Sequence, residues 1–209
     1  MKTIDIGLLG FGTVGSGVVK LLQENAARLE RKVGAHLRIR RIAVRDLGRA
    51  RPVEVDRKLL TANPAEVVAD PAIQIVVEVM GGIDPARACC LEALEKGKHV
   101  VTANKALLAT HGVALYRAAA EHRVDLGFEA SVCGGIPVIR LLREGLVANR
   151  ITSLLGIING TCNYILTKMT EEDRPFAEVL AAAQARGYAE ADPSLDVGGL
   201  DAAHKLQIL

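Results

Sequence analysis

Short apolar runs and helically spaced apolar positions alternate along the first 130 residues. Apolar runs predict buried strands at about 4–9, 37–44, 73–79, 99–102 and 124–128. Apolar residues recur at helical spacing between them, which predicts helices over about 14–29, 85–96 and 105–122. Strands that alternate with helices form parallel sheets covered by helices. The pattern therefore predicts an α/β fold with a doubly wound, mostly parallel sheet.

The hydrophobic pattern changes near residue 129. A Gly-Gly-Ile-Pro turn is followed by a predicted helix to about residue 146, a predicted strand over Ile151–Ile158 and further helices. We expect two domains, residues 1–130 and 131–209, the second being part of an α+β domain. Because the apolar helix over Gly198–Leu209 reaches the last residue without a cap, we also expect that the chain is cut inside this domain.

Composition narrows the function classes. Half of the residues are hydrophobic, and the formal net charge is +2, from 26 basic and 24 acidic residues. So small an imbalance gives no electrostatic reason to expect binding to nucleic acid or to a membrane surface. No uncharged apolar stretch reaches the ~20 residues that span a bilayer, and the N-terminus lacks the features of a signal peptide. None of the four cysteines is in CxxC spacing, which favours reduced thiols in a cytoplasmic protein.

A glycine-rich sequence directly after the first strand has the G-x-G-x-x-G spacing. It consists of Gly10, Phe11, Gly12, Thr13, Val14 and Gly15. In a strand-to-helix turn, such glycines allow a tight bend, close approach of a pyrophosphate and close packing of helix on strand. The helix N-terminus adds N–H groups and a positive dipole end for the phosphates. The motif predicts a Rossmann-type dinucleotide-binding domain, although an ordinary glycine-rich turn is the alternative.

The end of the second strand bears on the choice between NADP and NAD. An acidic residue there typically binds the ribose 2′-hydroxyl of NAD, whereas an arginine accommodates the 2′-phosphate of NADP. This sequence has both, as Arg45 and Asp46. We favour NADP, bound through Arg45, with NAD as the alternative.

Two charged segments are candidates for catalysis. Lys105 follows a predicted strand at the carboxyl edge of the sheet, where α/β proteins bind ligands. Asp201 and Lys205 are four residues apart, so they share one face of a helix. Such a pair is either a helical salt bridge or, because its neighbours are apolar, a functional pair.

Other residues suggest different enzymes. Tyr164 and Lys168, with Ser153 upstream, have the Y-x-x-x-K spacing of a short-chain dehydrogenase, in which a tyrosine acts as the acid. Cys133 precedes a helix and is a candidate nucleophile for an aspartate-semialdehyde dehydrogenase. A dinucleotide-binding fragment without turnover is the non-enzyme alternative.

Taken in order, six motifs resemble those of the homoserine dehydrogenase family. They are GFGTVG, VVEVMGG, TANK, EASVCGGIP, NGTCNYIL and GYAEADPSLDVGGLDAAHKL. The resemblance covers essentially the whole chain and is closest to the monofunctional type. It implies NAD(P)-dependent interconversion of L-homoserine and L-aspartate 4-semialdehyde, in threonine and methionine biosynthesis. It also implies a small-molecule substrate and a homodimer for the full-length protein.

The resemblance also implies roles for individual residues. Lys105 and Lys205 resemble the two catalytic lysines, and Lys105 also lies near the cofactor. Glu190, Asp196 and Asp201 resemble the acids that hold the substrate, and Gly187 resembles a glycine near the nicotinamide. The resemblance further implies a monovalent cation, Na⁺ in most of the family, bound by the side chain of Glu129 and by the carbonyls of Val132, Gly134 and Ile136.

Overall fold

The computed structural model describes all 209 residues of the sequence. Its backbone forms two compact units, residues 1–134 and residues 135–209. No helix in either unit has the length and apolar character needed to cross a membrane.

The first unit is built on a six-stranded parallel sheet. Its strands are β1 (Lys2–Leu9), β2 (Ala35–Ala43), β3 (Leu60–Thr61), β4 (Ile73–Glu78), β5 (His99–Thr102) and β6 (Leu126–Gly127). They lie in the order β3-β2-β1-β4-β5-β6, and every neighbouring pair is parallel. This order is that of a dinucleotide-binding Rossmann sheet, and the chain reverses its direction of travel between β1 and β4. The predicted doubly wound fold is confirmed, with the short β3 as an addition.

Helices connect the consecutive strands of this sheet except β2 and β3, between which lies only a 3₁₀ turn, Arg57–Leu59. They are α1 (Thr13–Glu24), α2 (Ala26–Val33), α3 (Ala65–Ala69), α4 (Asp84–Glu95) and α5 (Lys105–His122). Pro85 lies in the first turn of α4, where its missing N–H has no intrahelical acceptor to lose. The side chain of Asn104 caps α5 by accepting a hydrogen bond from the backbone N–H of Leu107.

Aliphatic side chains form the core of the first unit. Leu8 of β1 and Ile42 of β2 are fully buried, and they pack with Val19 of α1 and Phe11 of the glycine loop. Burial of both faces explains the continuous apolar run in the second half of β1, whereas β2 alternates apolar residues with exposed polar ones before its buried end. The packing fixes β1 and α1 against each other, and thereby the turn between them.

The second unit is helical. After the short α6 (Val138–Arg140), residues Leu141–Gly145 continue as a π-helical turn, which confirms the helix predicted to about residue 146. The other helices are α7 (Gly160–Glu172), α8 (Phe176–Ala185), α9 (Ser194–Val197) and α10 (Leu200–Ile208). A small core of Ile165, Val179, Ala183 and Ala189 joins α7 to α8 and to the segment that follows it.

The strand predicted over Ile151–Ile158 is wrong for this structure. Residues 151–159 have irregular backbone, and no strand is present elsewhere in the second unit. A strand requires a hydrogen-bonded neighbour, which local sequence cannot guarantee. Without one, the apolar side chains of this segment, such as Leu155 and Ile157, lie exposed.

Candidate active site

The glycine loop connects β1 to α1 at the point where the sheet reverses its strand order. Gly10 has a φ of 102°, and a Cβ atom there would lie 2.7 Å from the carbonyl oxygen of Val79. A Cβ on Gly15 would lie 2.2 Å from the carbonyl oxygen of Gly10. Gly12 has no atom within 4 Å of the corresponding position. Packing thus requires the outer two glycines, whereas the middle one leaves open space beside the N-terminus of α1, as pyrophosphate binding needs.

Three further residues of the loop precede or begin α1. Phe11 is buried in the core, whereas Thr13 and Val14 are exposed in the first turn of the helix. The N-cap residue of α1 is Gly12, and no side chain caps the helix. The first backbone N–H groups of α1 are therefore not satisfied by a capping side chain.

Arginines surround the end of β2. Arg45 and Asp46 are both exposed, and the carboxylate of Asp46 accepts a hydrogen bond from the backbone N–H of Gly48 at 2.8 Å. The guanidinium of Arg51 lies over the ring of Phe11, 5.3 Å from its centroid. Arg51 also donates a hydrogen bond to the backbone carbonyl of Asp46. Sequence reasoning missed Arg51, because only the fold brings it to the glycine loop.

A buried polar network lies at the carboxyl ends of β4 and β5. Glu78 is fully buried, and one of its carboxylate oxygens accepts hydrogen bonds from the N–H groups of Met80 and Gly81, at 2.9 and 3.3 Å. Its other oxygen accepts a hydrogen bond from the Thr102 hydroxyl at 2.6 Å. The side-chain amide of Asn104 donates to the carbonyl oxygen of Gly82 at 2.7 Å. These bonds fix the loop after β4 and the loop after β5 to each other.

Lys105 is placed by this network. It is the first residue of α5, directly after the capping residue Asn104, and its side chain is partly buried. Its backbone position at the carboxyl edge of the sheet is thus set by the cap of α5. An ammonium at this edge is suitably placed to contact a bound dinucleotide or substrate.

A cavity of about 520 Å³ lies within the second unit. Backbone and side chains from α7, α9, α10 and the loop after α8 surround it. Its lining residues are Asn159, Gly160, Thr161, Tyr164, Gly187, Tyr188, Asp196, Asp201 and Lys205. The cavity thus contains four of the predicted site residues, with two carboxylates and one ammonium.

Lys205 and Asp201 form an ion pair in this cavity. The Nζ atom of Lys205 lies 2.6 Å from Oδ2 of Asp201 and 2.6 Å from the carbonyl oxygen of Ile158. Asp201 is buried and Lys205 is partly buried, so water screens the pair less than a surface salt bridge. A lysine held in this way can donate a proton to an oxygen atom bound in the cavity when it is an ammonium, and can accept one when it is a neutral amine.

Asn159 joins the two cavity carboxylates. Its amide nitrogen donates to Oδ1 of Asp196 at 2.8 Å and to Oδ2 of Asp201 at 2.7 Å. The Cys162 thiol also contacts this region, with Sγ 3.2 Å from the carbonyl oxygen of Asp196. Burial raises the pKa of the Cys162 thiol, and the charges of Asp196 and Asp201 raise it further. The thiol is therefore protonated at neutral pH, which makes it a poor nucleophile.

The remaining predicted substrate and cofactor residues of this unit lie after α8. Gly187 lines the cavity and has a φ of 75°, a conformation that favours glycine. The carbonyl of Tyr188 accepts a hydrogen bond from the Thr161 hydroxyl at 2.8 Å, which ties this turn to α7. Glu190 is exposed and does not line the cavity.

The segment predicted to bind a cation spans the end of the first unit and the start of the second. Glu129 begins a short 3₁₀ turn, and Val132 is buried after it. Cys133 and Gly134 have φ angles of 56° and 58°, so the backbone curls at this point, before Ile136 in the second unit. The ligands expected here, one carboxylate and three carbonyls, are all oxygen atoms, the type of donor that suits a hard cation.

Tyr164, Lys168 and Cys133, which suggested two other classes of dehydrogenase, do not have the surroundings that those enzymes would need. The Tyr164 hydroxyl accepts a hydrogen bond from Arg186 at 3.1 Å, and Lys168 pairs with Glu172 at 2.7 Å. The side-chain hydrogen bonds of Tyr164 and Lys168 are thus made to other residues rather than to each other. Cys133 lies in the curled segment, outside the cavity of the second unit.

Both units match models of one protein family. Residues 10–129 match the family described as "Homoserine dehydrogenase, NAD binding domain", and residues 137–209 match "Homoserine dehydrogenase". The homoserine dehydrogenase of Bacillus subtilis is 50% identical over 209 residues, which cover 100% of this chain and 48% of that protein.

Solved structures of homoserine dehydrogenases are also similar to this chain. A homoserine dehydrogenase from Thiobacillus denitrificans has a TM-score of 0.88 and 51% identity, over 99% of this chain and 48% of that one. A hyperthermophilic archaeal homoserine dehydrogenase in complex with NADPH has a TM-score of 0.83 and 29% identity, over 99% of this chain and 68% of that one.

The chain spans about half the length of the Bacillus subtilis and Thiobacillus denitrificans proteins, 48% in each case. These matches do not favour the short-chain dehydrogenase or the aspartate-semialdehyde dehydrogenase interpretation. Because a family model covers residues 10–129, more than half of the sequence, and a second covers residues 137–209, the chain belongs to the homoserine dehydrogenase family.

Proposed function

We propose that the full-length protein interconverts L-homoserine and L-aspartate 4-semialdehyde with NADP(H), in threonine and methionine biosynthesis. The observation that carries this proposal is the Asp201–Lys205 pair in the cavity of the second unit, in a chain of this family. A carbonyl reduction needs one proton for the oxygen that becomes the alcohol. Lys205 is the cavity's ammonium, and it is the group we assign to that proton.

The reaction balances with one hydride and one proton. NADPH, when bound, supplies the hydride to the aldehyde carbon. Lys205 donates its proton to the developing alkoxide, and Asp201 holds the ammonium in place. In the reverse direction, neutral Lys205 accepts the hydroxyl proton of homoserine. Lys105 provides a second ammonium for the substrate or the cofactor.

The carboxylates of the second unit suit an amino-acid substrate. Asp196 and Asp201 line the cavity and attract the α-ammonium group of homoserine. We propose that Glu190, which is exposed and lies outside the cavity lining, also holds this end of the substrate, as the resemblance to the family implies. Gly187 leaves room beside the cavity, which is the property that approach of a nicotinamide ring requires.

The cofactor proposal rests on the glycine loop and the basic residues after β2. The backbone of Gly10–Gly15 would hold the pyrophosphate, and Arg45 the 2′-phosphate of NADP. Arg51, on the ring of Phe11, adds a second cationic group near the loop. These charges support NADP over NAD, since NAD lacks the 2′-phosphate.

The direct test is turnover by the protein extended to its natural end. We expect NADPH oxidation that depends on aspartate semialdehyde, and NADP⁺ reduction that depends on homoserine. Purified protein that binds NADPH without turning over either substrate would contradict the proposal. If the 209-residue chain alone has no turnover and the extended protein has, the 209-residue chain is an inert fragment.

We also propose that the segment of Glu129, Val132, Gly134 and Ile136 binds Na⁺. Its oxygen donors and its two consecutive positive φ angles support this assignment. Replacing Na⁺ in the assay by a large organic cation should lower activity, and Glu129→Ala should remove the response to Na⁺. An activity that is independent of Na⁺ in the unmodified protein would contradict this assignment.

Finally, we propose that the full-length protein is a homodimer and acts in the cytoplasm. Exposed apolar side chains of the second unit, including Val147, Leu155 and Ile157, support association. Four free cysteines support a reducing compartment.

A further inference from the structure

The side chain of Asn159 is buried and makes three hydrogen bonds. It is the N-cap residue of α7, and its Oδ1 atom accepts from the backbone N–H of Cys162 at 2.8 Å. Its Nδ2 atom lies 2.8 Å from Oδ1 of Asp196 and 2.7 Å from Oδ2 of Asp201. The amide therefore uses its oxygen for the helix and its nitrogen for two carboxylates.

The nitrogen contacts are not needed for the helix cap. An N-cap requires only a side-chain oxygen, which serine, threonine or aspartate would also provide. Only an amide adds an NH₂ group, whose two protons can satisfy two acceptors at once. Two carboxylates that approach a common point repel each other unless donors lie between them. The amide nitrogen of Asn159 is such a donor.

The same Asp201 oxygen also accepts from Lys205. Oδ2 of Asp201 lies 2.7 Å from Nδ2 of Asn159 and 2.6 Å from Nζ of Lys205. Rotation of this carboxylate away from Asn159 would therefore move the acceptor that directs the ammonium. Asn159 is also next to Ile158, whose carbonyl accepts the other hydrogen bond of Lys205. One residue thus influences both groups that orient Lys205.

We propose that Asn159 is a positioning residue for the reaction, which sets the direction of the Lys205 ammonium by holding the Asp201 and Asp196 carboxylates apart and in place. The inference rests on the proposed function, because it assigns to Lys205 the transfer of a proton. It adds a residue that does not itself contact the reacting atoms. Its consequence is that the identity of the capping side chain matters for turnover, and not only for folding.

Two substitutions in the full-length protein separate the cap from the amide. Asn159→Asp keeps the oxygen that caps α7 and replaces the two donors by a third acceptor. Asn159→Ser keeps a capping oxygen and can donate only one proton. If the amide positions the carboxylates, kcat falls about 10- to 100-fold in both, further in Asn159→Asp, because proton transfer depends on correct orientation. KM for homoserine rises as well, and the Kd of NADPH is unchanged.

A purely capping role predicts almost no loss of kcat in either variant. Aspartate and serine are both good N-cap residues, so both variants would then keep kcat within about twofold of the unmodified protein. Thr170→Gly is the matched control, because Thr170 is exposed on α7 and its hydroxyl bonds only within the helix. It weakens the same helix without touching the cavity. If this control loses kcat as much as Asn159→Ser, the positioning role is wrong.

A second measurement does not depend on turnover. Acetic anhydride labelling, with peptide mass spectrometry, reports how firmly the Lys205 amine is held. We expect labelling of Lys205, relative to exposed Lys20, to be several-fold faster in Asn159→Ser than in the unmodified protein. Equal labelling would overturn the inference. If the unmodified protein shows no homoserine turnover, the proposed reaction fails, while the labelling still decides whether Asn159 positions Lys205.

Discussion

Charged residues that are four apart on a helix have two alternative roles, and their surroundings decide between them. Lys168 and Glu172 on α7 form an exposed pair of this kind, with only each other and neighbouring surface charges as partners. Asp201 and Lys205 have the same spacing, but Asp201 is buried and their shared oxygen also binds Asn159. An ion pair that is largely buried beside a cavity and hydrogen-bonded to further residues is a stronger candidate for catalysis than an exposed ion pair.

Replacing Lys205 tests this difference. In the full-length protein, Lys205→Ala should lower kcat by about 10²–10⁴-fold, the usual contribution of a positioned acid or base. NADPH binding should be nearly unchanged, because the glycine loop belongs to the other unit. Lys168→Ala, which removes the exposed pair of the same spacing, should leave kcat intact. Both kcat and the thermal midpoint should be measured on the same samples. If Lys205→Ala is less stable but keeps its kcat, the pair is a structural salt bridge and not a catalytic pair.

The proposed preference for NADP can also be tested at a single residue. Arg45→Ala should raise KM for NADP(H) about tenfold or more, since a hydrogen bond to a charged group contributes roughly 1.5–3 kcal/mol. KM for NAD(H) should change far less, because that cofactor has no 2′-phosphate. Arg49→Ala, at an exposed neighbouring position, is the control. Equal losses with both cofactors would exclude Arg45 from the 2′-phosphate site.

At the scale of elements, the loops after β4 and β5 form one hydrogen-bonded structure. Glu78 is a buried carboxylate whose hydrogen bonds come from two backbone N–H groups and a hydroxyl. Burying a carboxylate is unfavourable unless such donors satisfy it. The arrangement keeps the loop after β4 close to Gly10, whose backbone approaches Val79 and Met80. The shape of the predicted pyrophosphate site therefore depends on Glu78, a buried residue at the end of β4.

Glu78→Ala should weaken both stability and cofactor binding. It leaves buried donors unpaired, which lowers the free energy of unfolding by about 2–4 kcal/mol. We expect the Kd of NADPH to rise as the loop after β4 relaxes. Glu66→Ala, which removes an exposed ion pair with Arg41, should change stability by less than about 1 kcal/mol. An unchanged Kd in a folded Glu78→Ala protein would show that the loop keeps its shape without the carboxylate.

Local sequence determined the elements better than it determined their partners. The strand-to-helix turn at Gly10–Gly15 was predictable, because glycine spacing, apolar run and helical periodicity all lie within a few residues. The irregular backbone of Ile151–Ile158 was not predictable, because an apolar segment forms a strand only where a neighbouring strand pairs with it. Arg51, Glu78 and Asn159 were missed for a related reason. Their partners are distant in sequence, 24 residues from Glu78 to Thr102 and 42 from Asn159 to Asp201.

At the scale of the whole molecule, the two units differ in how completely they bury apolar surface. The first has an extensive aliphatic core between its sheet and its helices. The second has a small core, and Leu155 is 97% exposed. An exposed apolar segment of this kind is typical of a surface that another part of a protein, or another copy, covers.

The proposed homodimer can be tested at this segment. Leu155→Glu in the full-length protein should shift the mass measured by light scattering towards that of a monomer, because a charge is costly in an apolar interface. Val113→Glu is the control, because Val113 is 76% exposed on α5 of the first unit. A dimer that is equally stable in both variants would place the interface elsewhere.

The way in which Lys205 is held has a consequence for its rotation. An ammonium group has three protons, and here two of them point to fixed acceptors, the Ile158 carbonyl and the Asp201 carboxylate. These two hydrogen bonds restrict rotation of the ammonium group about its Cε–Nζ bond. The third proton then has a single direction. In the proposed reaction, the fold rather than the substrate would therefore set the direction from which a bound carbonyl oxygen receives the proton.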